Sequence, residues 1–329
     1  GGGEDDVSLL RHGRQKRVGD HEELELLEGR LRVAQRAVLV VDVVAEDQHG
    51  LEVARAGGGE ALPDADAGRV GDRGSPRLRH RDAVLVAGDV ALAREVHAAL
   101  DELGEAFPDI RVVILTGEGR GFCSGADVDS MAQSMTDDRS TAQTNQDPIS
   151  QRFDSIVSLA PHIRRIPQPV IAAVNGVAAG GGLGMALAAD IRIASESARF
   201  SAIFIKRSLV PDTATSYTIA SIAGQGVASE MGLTGGVYDA PWAYQAGLVN
   251  YVVAADQLME KAHELANEIA ANPPLAVKAA KQLLYSYGND LERVLDAESL
   301  AVEPTIGSDD RKEAVLAFVE RRPPIFKGS

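Results

Sequence analysis

The chain predicts an α/β fold of repeated β-β-α units ending in a helical tail. Three observations carry that reading. Two short apolar runs of strand composition, 112–116 and 170–174, each end in a glycine-containing turn. The second turn opens into Met185-Ala186-Leu187-Ala188-Ala189, which has the character of a buried helix. From Asp256 onward the apolar spacing is helical, over 256–271, 274–287, 289–303 and 309–321.

The other elements follow in order. Segment 91–107 predicts a helix, with Val96, Leu100 and Leu103 at helical spacing and Pro108 just past its end. After the strand at 112–116 comes the turn 121–127. Residues 129–152 are rich in Ser, Thr, Gln and Asp and predict a mobile loop leading into a helix, of a kind that covers active sites. Segment 157–166 is helical and is ended by Pro167 and Pro169. Strands are predicted at 191–194 and 248–253, with helices at 214–223 and 227–233 between them.

Composition narrows the classes. Apolar residues make up 45% of 329 and aromatic residues 4%, so the core is built from Ala, Val, Leu and Ile. A net charge of −15 argues against a nucleic-acid partner but leaves room for a local basic patch that holds a small anion. The single cysteine, Cys123, excludes an internal disulfide and fits a reducing cytoplasm. It lies in the first turn with no histidine pattern beside it, and reads as a small packing residue. No apolar run reaches the ~18 residues of a membrane span, and there is no basic-then-apolar leader. The expectation is a cytoplasmic protein without a membrane partner. No Cys/His cluster with zinc spacing occurs over 90–329, so no metal is expected. The chain starts Gly1-Gly2-Gly3 without Met, which predicts a processed or engineered start.

Residues 1–88 stand outside the pattern. They contain no Phe, Tyr, Trp, Ile, Asn, Thr, Met or Cys, yet hold four of the seven histidines. A strand-like Val run occurs at 37–44, and 57–59 and 68–81 read as linker. The missing types are mostly those with AT-rich codons. Two explanations fit: a lineage-specific extension, or a start read in the wrong frame of a GC-rich gene and possessing no stable fold. The expected division is therefore 1–88 off-pattern, 89–255 core, and 256–329 helical C-terminal region.

The two turns carry the chemistry. In Asn175-Gly176-Val177-Ala178-Ala179-Gly180-Gly181-Gly182-Leu183-Gly184, three adjacent glycines at a strand-to-helix joint let backbone approach a ligand without Cβ interference. The helix that starts there offers free N–H groups and a positive dipole end, suited to a developing negative oxygen. Gly121-Phe122-Cys123-Ser124-Gly125-Ala126-Asp127 ends the other strand in the same way. One such turn alone is an ordinary tight connection; two can each aim an N–H at one carbonyl oxygen. No Gly-Lys-Ser/Thr follows the glycines, and the G-x-G-x-x-G spacing with a downstream acid is absent, so phosphate-loop and dinucleotide readings fail.

Together, 112–127, 169–195 and the tail 318–328 resemble the crotonase, or enoyl-CoA hydratase/isomerase, superfamily over roughly residues 90–329. The resemblance implies a spiral of β-β-α units and a C-terminal helical region that assembles trimers or dimers of trimers. It implies an acyl-CoA thioester as partner, no separate cofactor, and an oxyanion hole formed by the N–H groups of Ser124 and Gly181. Substrate contacts carry over to Ser124, Gly125, Ala126, Asp127, Gly181 and the tail Lys327, which would reach a CoA phosphate, on a neighbouring subunit or its own. A solvated tail lysine is the plainer reading of Lys327. Lys206 and Arg207 are further cations beside the site or on the surface.

Hydratases of this family use two glutamates, and this chain has Gly184 and Phe204 at those positions. Neither moves protons. Val210-Pro211-Asp212-Thr213-Ala214-Thr215-Ser216-Tyr217 instead resembles the 3,2-enoyl-CoA isomerase branch, whose acid/base maps onto Asp212. Apolar neighbours such as Phe204 or Val210 would raise its pKa into a working range. Pro-Asp before Thr-Ala-Thr-Ser-Tyr is equally a helix start with Asp212 as N-cap. Asp190 closes the buried helix and reads as structural. The activity implied is 3-enoyl to 2-enoyl isomerisation; a hydratase with non-standard acids and a non-catalytic acyl-CoA binder are the alternatives.

Overall fold

The computed structural model of the chain describes residues 38–45, 79–86, 89–125, 156–286, 300, 304–305 and 307–329. The loop expected at 129–152 and most of the helix expected at 289–303 lie outside these.

The strands β3 (Ile110–Gly117), β5 (Val170–Val174) and β7 (Ile191–Ser195) run parallel as neighbours in one sheet. Their continuous apolar runs follow from burial on both faces. Period-two alternation sorts the side chains onto two sides. Val113, Leu115, Val170, Ala172 and Val174 join one core, and Val112, Ile114, Ile171, Ala173 and Ile193 join another. The first core is covered by α1 (Asp89–Glu105), α2 (Leu159–Arg165) and α3 (Gly181–Ala188).

Each long strand is followed by a short one in a second sheet. β4 (Gly121–Cys123), β6 (Val177–Ala179) and β8 (Arg199–Ser201) pair in parallel in the same order as β3, β5 and β7. The order 3-5-7 over 4-6-8, with a helix after each pair, is the expected spiral of β-β-α units. In the third unit a 3₁₀ turn (Ile203–Arg207) precedes α4 (Thr215–Thr234), which is interrupted at Gly224. That break matches the two helices the sequence predicts there. β9 (Tyr238–Asp239) closes the second sheet against β8, and α5 (Ala240–Gln245) follows, capped by Asp239, whose carboxylate accepts from Trp242 N–H.

The strand predicted at 248–253 is shorter, β10 (Tyr251–Val253) beside β7. Asn250 marks its start: its side-chain oxygen accepts from Arg192 N–H and its own N–H donates to Arg192 O. The helical tail begins with α6 (Leu258–Ala270), whose Leu258, Ala262, Leu265, Ala266 and Ala270 form one stripe against the second core. α7 (Pro274–Ser286) and α8 (Asp309–Glu320) follow.

Two further strands come from the first 88 residues. β1 (Val38–Ala45) lies on the Val run at 37–44, and β2 (Arg79–Val86) begins inside the stretch read as linker. β1 pairs antiparallel with both β2 and β3, so the sheet order is β10-β7-β5-β3-β1-β2. The segment therefore supplies two strands ahead of β3, one on the strand-like run and one that the linker reading of 68–81 does not anticipate. Backbone pairing along β3 needs a β-compatible run, and Val38-Leu39-Val40-Val41 is one despite the odd composition around it.

Among the described residues no helix is long and apolar enough to cross a membrane.

Candidate active site at two glycine turns

The three glycines of the triplet are there for three different reasons. Gly180 has φ 54°, which an L side chain rarely adopts. A Cβ on Gly181 would stand 2.8 Å from Ile156 Cδ1. A Cβ on Gly182 would overlap the carbonyl oxygen of Cys123 and lie 2.7 Å from its carbonyl carbon. The second turn is thus pressed directly onto the first. Gly125 answers from the other side: it has φ 86°, and its Cβ position is 3.2 Å from Gly181 N and 2.9 Å from Ala179 O. Ser124, Gly125 and Gly181 are therefore brought together. Gly181 N–H is the first amide of α3 and has no intrahelical acceptor.

Asn175 holds the two turns in place. Its side-chain nitrogen donates to Gly117 O at 2.8 Å and to Gly119 O at 3.1 Å, and its side-chain oxygen accepts from Gly117 N–H. The sequence reading starts its glycine run at this residue without giving it a role. An Asn opening a turn was the available signal. Gly176 approaches Arg120 O so closely that no side chain fits between them. Cys123 is buried in the core, in keeping with a packing role. Ala126 and Asp127 lie outside the described residues.

Asp212 is placed by the loop between the 3₁₀ turn and α4. Thr213 and Ala214 both have left-handed backbones, with φ 49° and 56°. The N-cap of α4 is Ala214, and no side chain caps that helix. The capping role considered for Asp212 is therefore not the one it has. Its Oδ1 accepts from Thr213 Oγ1 at 2.8 Å. Burial raises the Asp212 pKa above the ordinary value, against a smaller lowering by that hydrogen bond. Thr213 Oγ1 in turn lies 3.5 Å from the Cβ position of Gly181. Thr213 thus holds the carboxylate and stands beside the glycine corner.

The position of the absent first glutamate, Gly184, is filled from outside. A Cβ there would be 2.6 Å from Cβ, Cγ2 and O of Thr213. Phe204 is buried, and its ring edge lies 3.9 Å from the Cβ position of Gly180, as an apolar wall of the site. Val210, the other apolar neighbour expected for Asp212, is 78% exposed. Lys206 and Arg207 are exposed.

Two predicted residues stand apart. Lys327 is exposed, and its N–H donates to Asp310. Its neighbours fix the tail near the start of β3: Phe326 O accepts from Arg111, and a Cβ on Gly328 would strike Pro108 and Pro274. Ser124 and Gly181 lie beyond the other end of that strand, roughly 20 Å along. Within one copy of the chain, Lys327 does not join Ser124 and Gly181. Asp190 is structural as expected: it accepts from Val170 N–H and pairs with the buried Lys281 at 3.1 Å.

A model of the enoyl-CoA hydratase/isomerase family matches residues 81–329. The chain is 36% identical over 243 residues to the 1,2-epoxyphenylacetyl-CoA isomerase of Escherichia coli K12, covering 71% of this chain and 88% of that one. It is 34% identical over 216 residues to the short-chain-enoyl-CoA hydratase of Clostridium acetobutylicum, covering 65% and 79%. Among solved structures, enoyl-CoA hydratase from Bacillus anthracis superposes with a TM-score of 0.64 at 36% identity, over 73% of this chain and 89% of that one.

Proposed function

Because the chain belongs to the enoyl-CoA hydratase/isomerase family, we propose that it moves the double bond of a 3-enoyl-CoA thioester to the 2 position, with Asp212 as acid/base. The observation that carries this is the pairing of a half-buried, non-capping Asp212, hydrogen-bonded to a Thr213 that stands beside the Gly181 corner, with Gly and Phe at the two glutamate positions. The thioester oxygen sits between the N–H groups of Ser124 and Gly181. Asp212 takes a proton from C2. The electron pair spreads over the C3–C4 double bond and the thioester as a dienolate, and its oxygen charge is met by the two N–H donors. The same carboxyl group then returns the proton to C4, leaving the double bond between C2 and C3. A raised pKa suits a group that must take and return one proton near neutrality.

Coenzyme A enters as part of the substrate, and the chemistry calls for no further cofactor. Oligomer formation through the C-terminal region is supported by α8, which exposes Val315, Leu316, Phe318 and Val319. A trimer or dimer of trimers would give Lys327 a second copy's CoA phosphate to meet.

The test is Asp212→Asn against a panel of 3-enoyl- and 2-enoyl-CoA thioesters with product analysis. Isomerisation should fall by ~10²–10⁴-fold, the usual worth of a general acid–base group. Stability should change little, because the carboxylate caps no helix. Hydration should be negligible in both proteins. Rapid hydration of 2-enoyl-CoA by the wild type, or wild-type isomerisation by the Asn variant, would end the proposal.

A further inference from the structure

Gly184 and Thr213 compete for one volume. Thr213 is fully buried, and its Cβ and Cγ2 both stand 2.6 Å from where a Cβ on Gly184 would be. It is held there by a backbone conformation that β-branched residues avoid, followed by a second left-handed residue, Ala214. Such outliers persist where surrounding structure over-determines them, and they gather at working sites. The same side chain has one polar atom, Oγ1, and that atom is hydrogen-bonded to Asp212 Oδ1. One face of Thr213 therefore fills the place of a missing side chain while the other face holds the carboxylate that remains. Among the described residues, Asp212 Oδ2 has no partner, so it is the oxygen left to exchange a proton.

We propose that Thr213 is the positioning residue that commits this site to a single carboxylate: its hydroxyl aims Asp212, and its Cβ and Cγ2 exclude any side chain at 184. A glutamate restored at 184 alone then has nowhere to go. The inference rests on Asp212 as the acid/base, and its two halves are read by separate experiments.

The hydroxyl is tested by Thr213→Val, which keeps the shape and deletes the donor. A lost hydrogen bond to a charged group predicts a kcat reduced ~10–100-fold with KM little changed. The acidic limb of the kcat/KM profile should move to higher pH, since the bond that lowers the Asp212 pKa is gone. Thr213→Ser keeps the hydroxyl and should restore both rate and limb, which a purely packing role would not produce. A Val variant with wild-type kcat and an unmoved limb overturns this half. If Asp212→Asn is inactive in that case, the isomerase reading stands and the role of Thr213 alone falls. If Asp212→Asn is fully active, both fall.

The shared volume is tested by melting curves, which do not depend on activity. Gly184→Ala should lower Tm by several degrees in the wild type. In a Thr213→Gly background the Cβ and Cγ2 are absent and the loop carbonyl can swing aside. The loss caused by Gly184→Ala should there be less than half as large. Equal losses in the two backgrounds overturn the shared-volume half.

Discussion

Gly182→Ala separates the geometry of the hole from the strain of its turns. The added methyl would overlap Cys123 O and press on its carbonyl carbon and Cβ at 2.7 Å. Backbone cannot be pushed aside like a flexible side chain, so either α3 or the first turn must retreat. Overpacking of this kind costs about 1–3 kcal/mol. In a chain of this size that is roughly 2–4 °C of Tm per kcal/mol. The functional cost is larger, because Cys123 is bonded to Ser124 and Gly182 to Gly181. A retreat of even ~1 Å withdraws one of the two N–H donors, and losing one donor costs ~10²–10³-fold in kcat. Gly119→Ala is the control. Gly119 has φ 72° and nothing within 4 Å of its Cβ position, so alanine there meets backbone strain alone, about 1–2 kcal/mol, and its methyl presses on neither donor. The assay is steady-state isomerisation of a 3-enoyl-CoA beside a thermal melt. Gly182→Ala should lose turnover far beyond its loss of stability, and Gly119→Ala should lose stability alone. A folded Gly182→Ala protein with wild-type turnover would refute the hole at Ser124 and Gly181.

Other outcomes follow from the surrounding structure. His162 accepts or donates at 2.7 Å to His97, lies 3.1 Å from Asp101, and has Arg165 nearby; burial, outweighing the Asp101 carboxylate, holds its pKa below the ordinary value. The unfolded chain then binds this proton more readily, so stability should be full above the unfolded pKa of about 6.5 and should decline as pH falls toward the folded value. A Tm that drops between pH 7.5 and 5.5, and drops less in His162→Gln, supports this; identical slopes in the two proteins contradict it. Lys281 is buried against Asp190, Gln168 O and Ile163 O, so Lys281→Met should cost about 3–5 kcal/mol in denaturant unfolding, whereas Lys261→Met, at a surface i,i+3 pair with Glu264, should cost far less. Thr215 Oγ1 is buried and without a partner among the described residues, so Thr215→Val should stabilise by roughly 1 kcal/mol; a lower Tm would show that the hydroxyl is satisfied after all.

The sequence is most legible where local chemistry and long-range packing agree. The run 170–174 is a strand to the residue because Pro169 and Asn175 bound it and parallel neighbours bury both its faces. The break near Gly224 is legible because glycine marks it. The loop at 211–214 is the opposite case. Pro-Asp before a helix speaks for a cap, and nothing local announces left-handed Thr213 and Ala214, since neither is glycine. What decides that loop is a partner almost thirty positions earlier, Gly184, which leaves the space that Thr213 enters. Asn175 is hidden for the same reason: its hydrogen bonds run to Gly117, Gly119 and Gly121 in the other turn. β1 and β2 are hidden by composition, because the Arg- and Gly-rich tracts around them outweigh two short apolar runs.

On the proposed mechanism, this division of labour explains how a site without the two glutamates can still hold a thioester oxygen. The proposed oxyanion donors are main-chain groups, and the packing of their turns is set by steric demands on Gly125, Gly176 and Gly182, each of which answers to backbone in the other turn. None of those demands involves a carboxylate. Residues 184, 204 and 212 hang on this frame from three different elements, α3, the 3₁₀ turn and the loop before α4. Exchanging them alters which proton moves without disturbing where the oxygen is held. The exchanges are nonetheless not independent of one another. Thr213 can enter only while 184 is glycine, and it is the Thr213 hydroxyl that holds Asp212. With Asp212 as the proposed acid/base, the glycine at 184 and the placing of a carboxylate at 212 are on this geometry a single structural event.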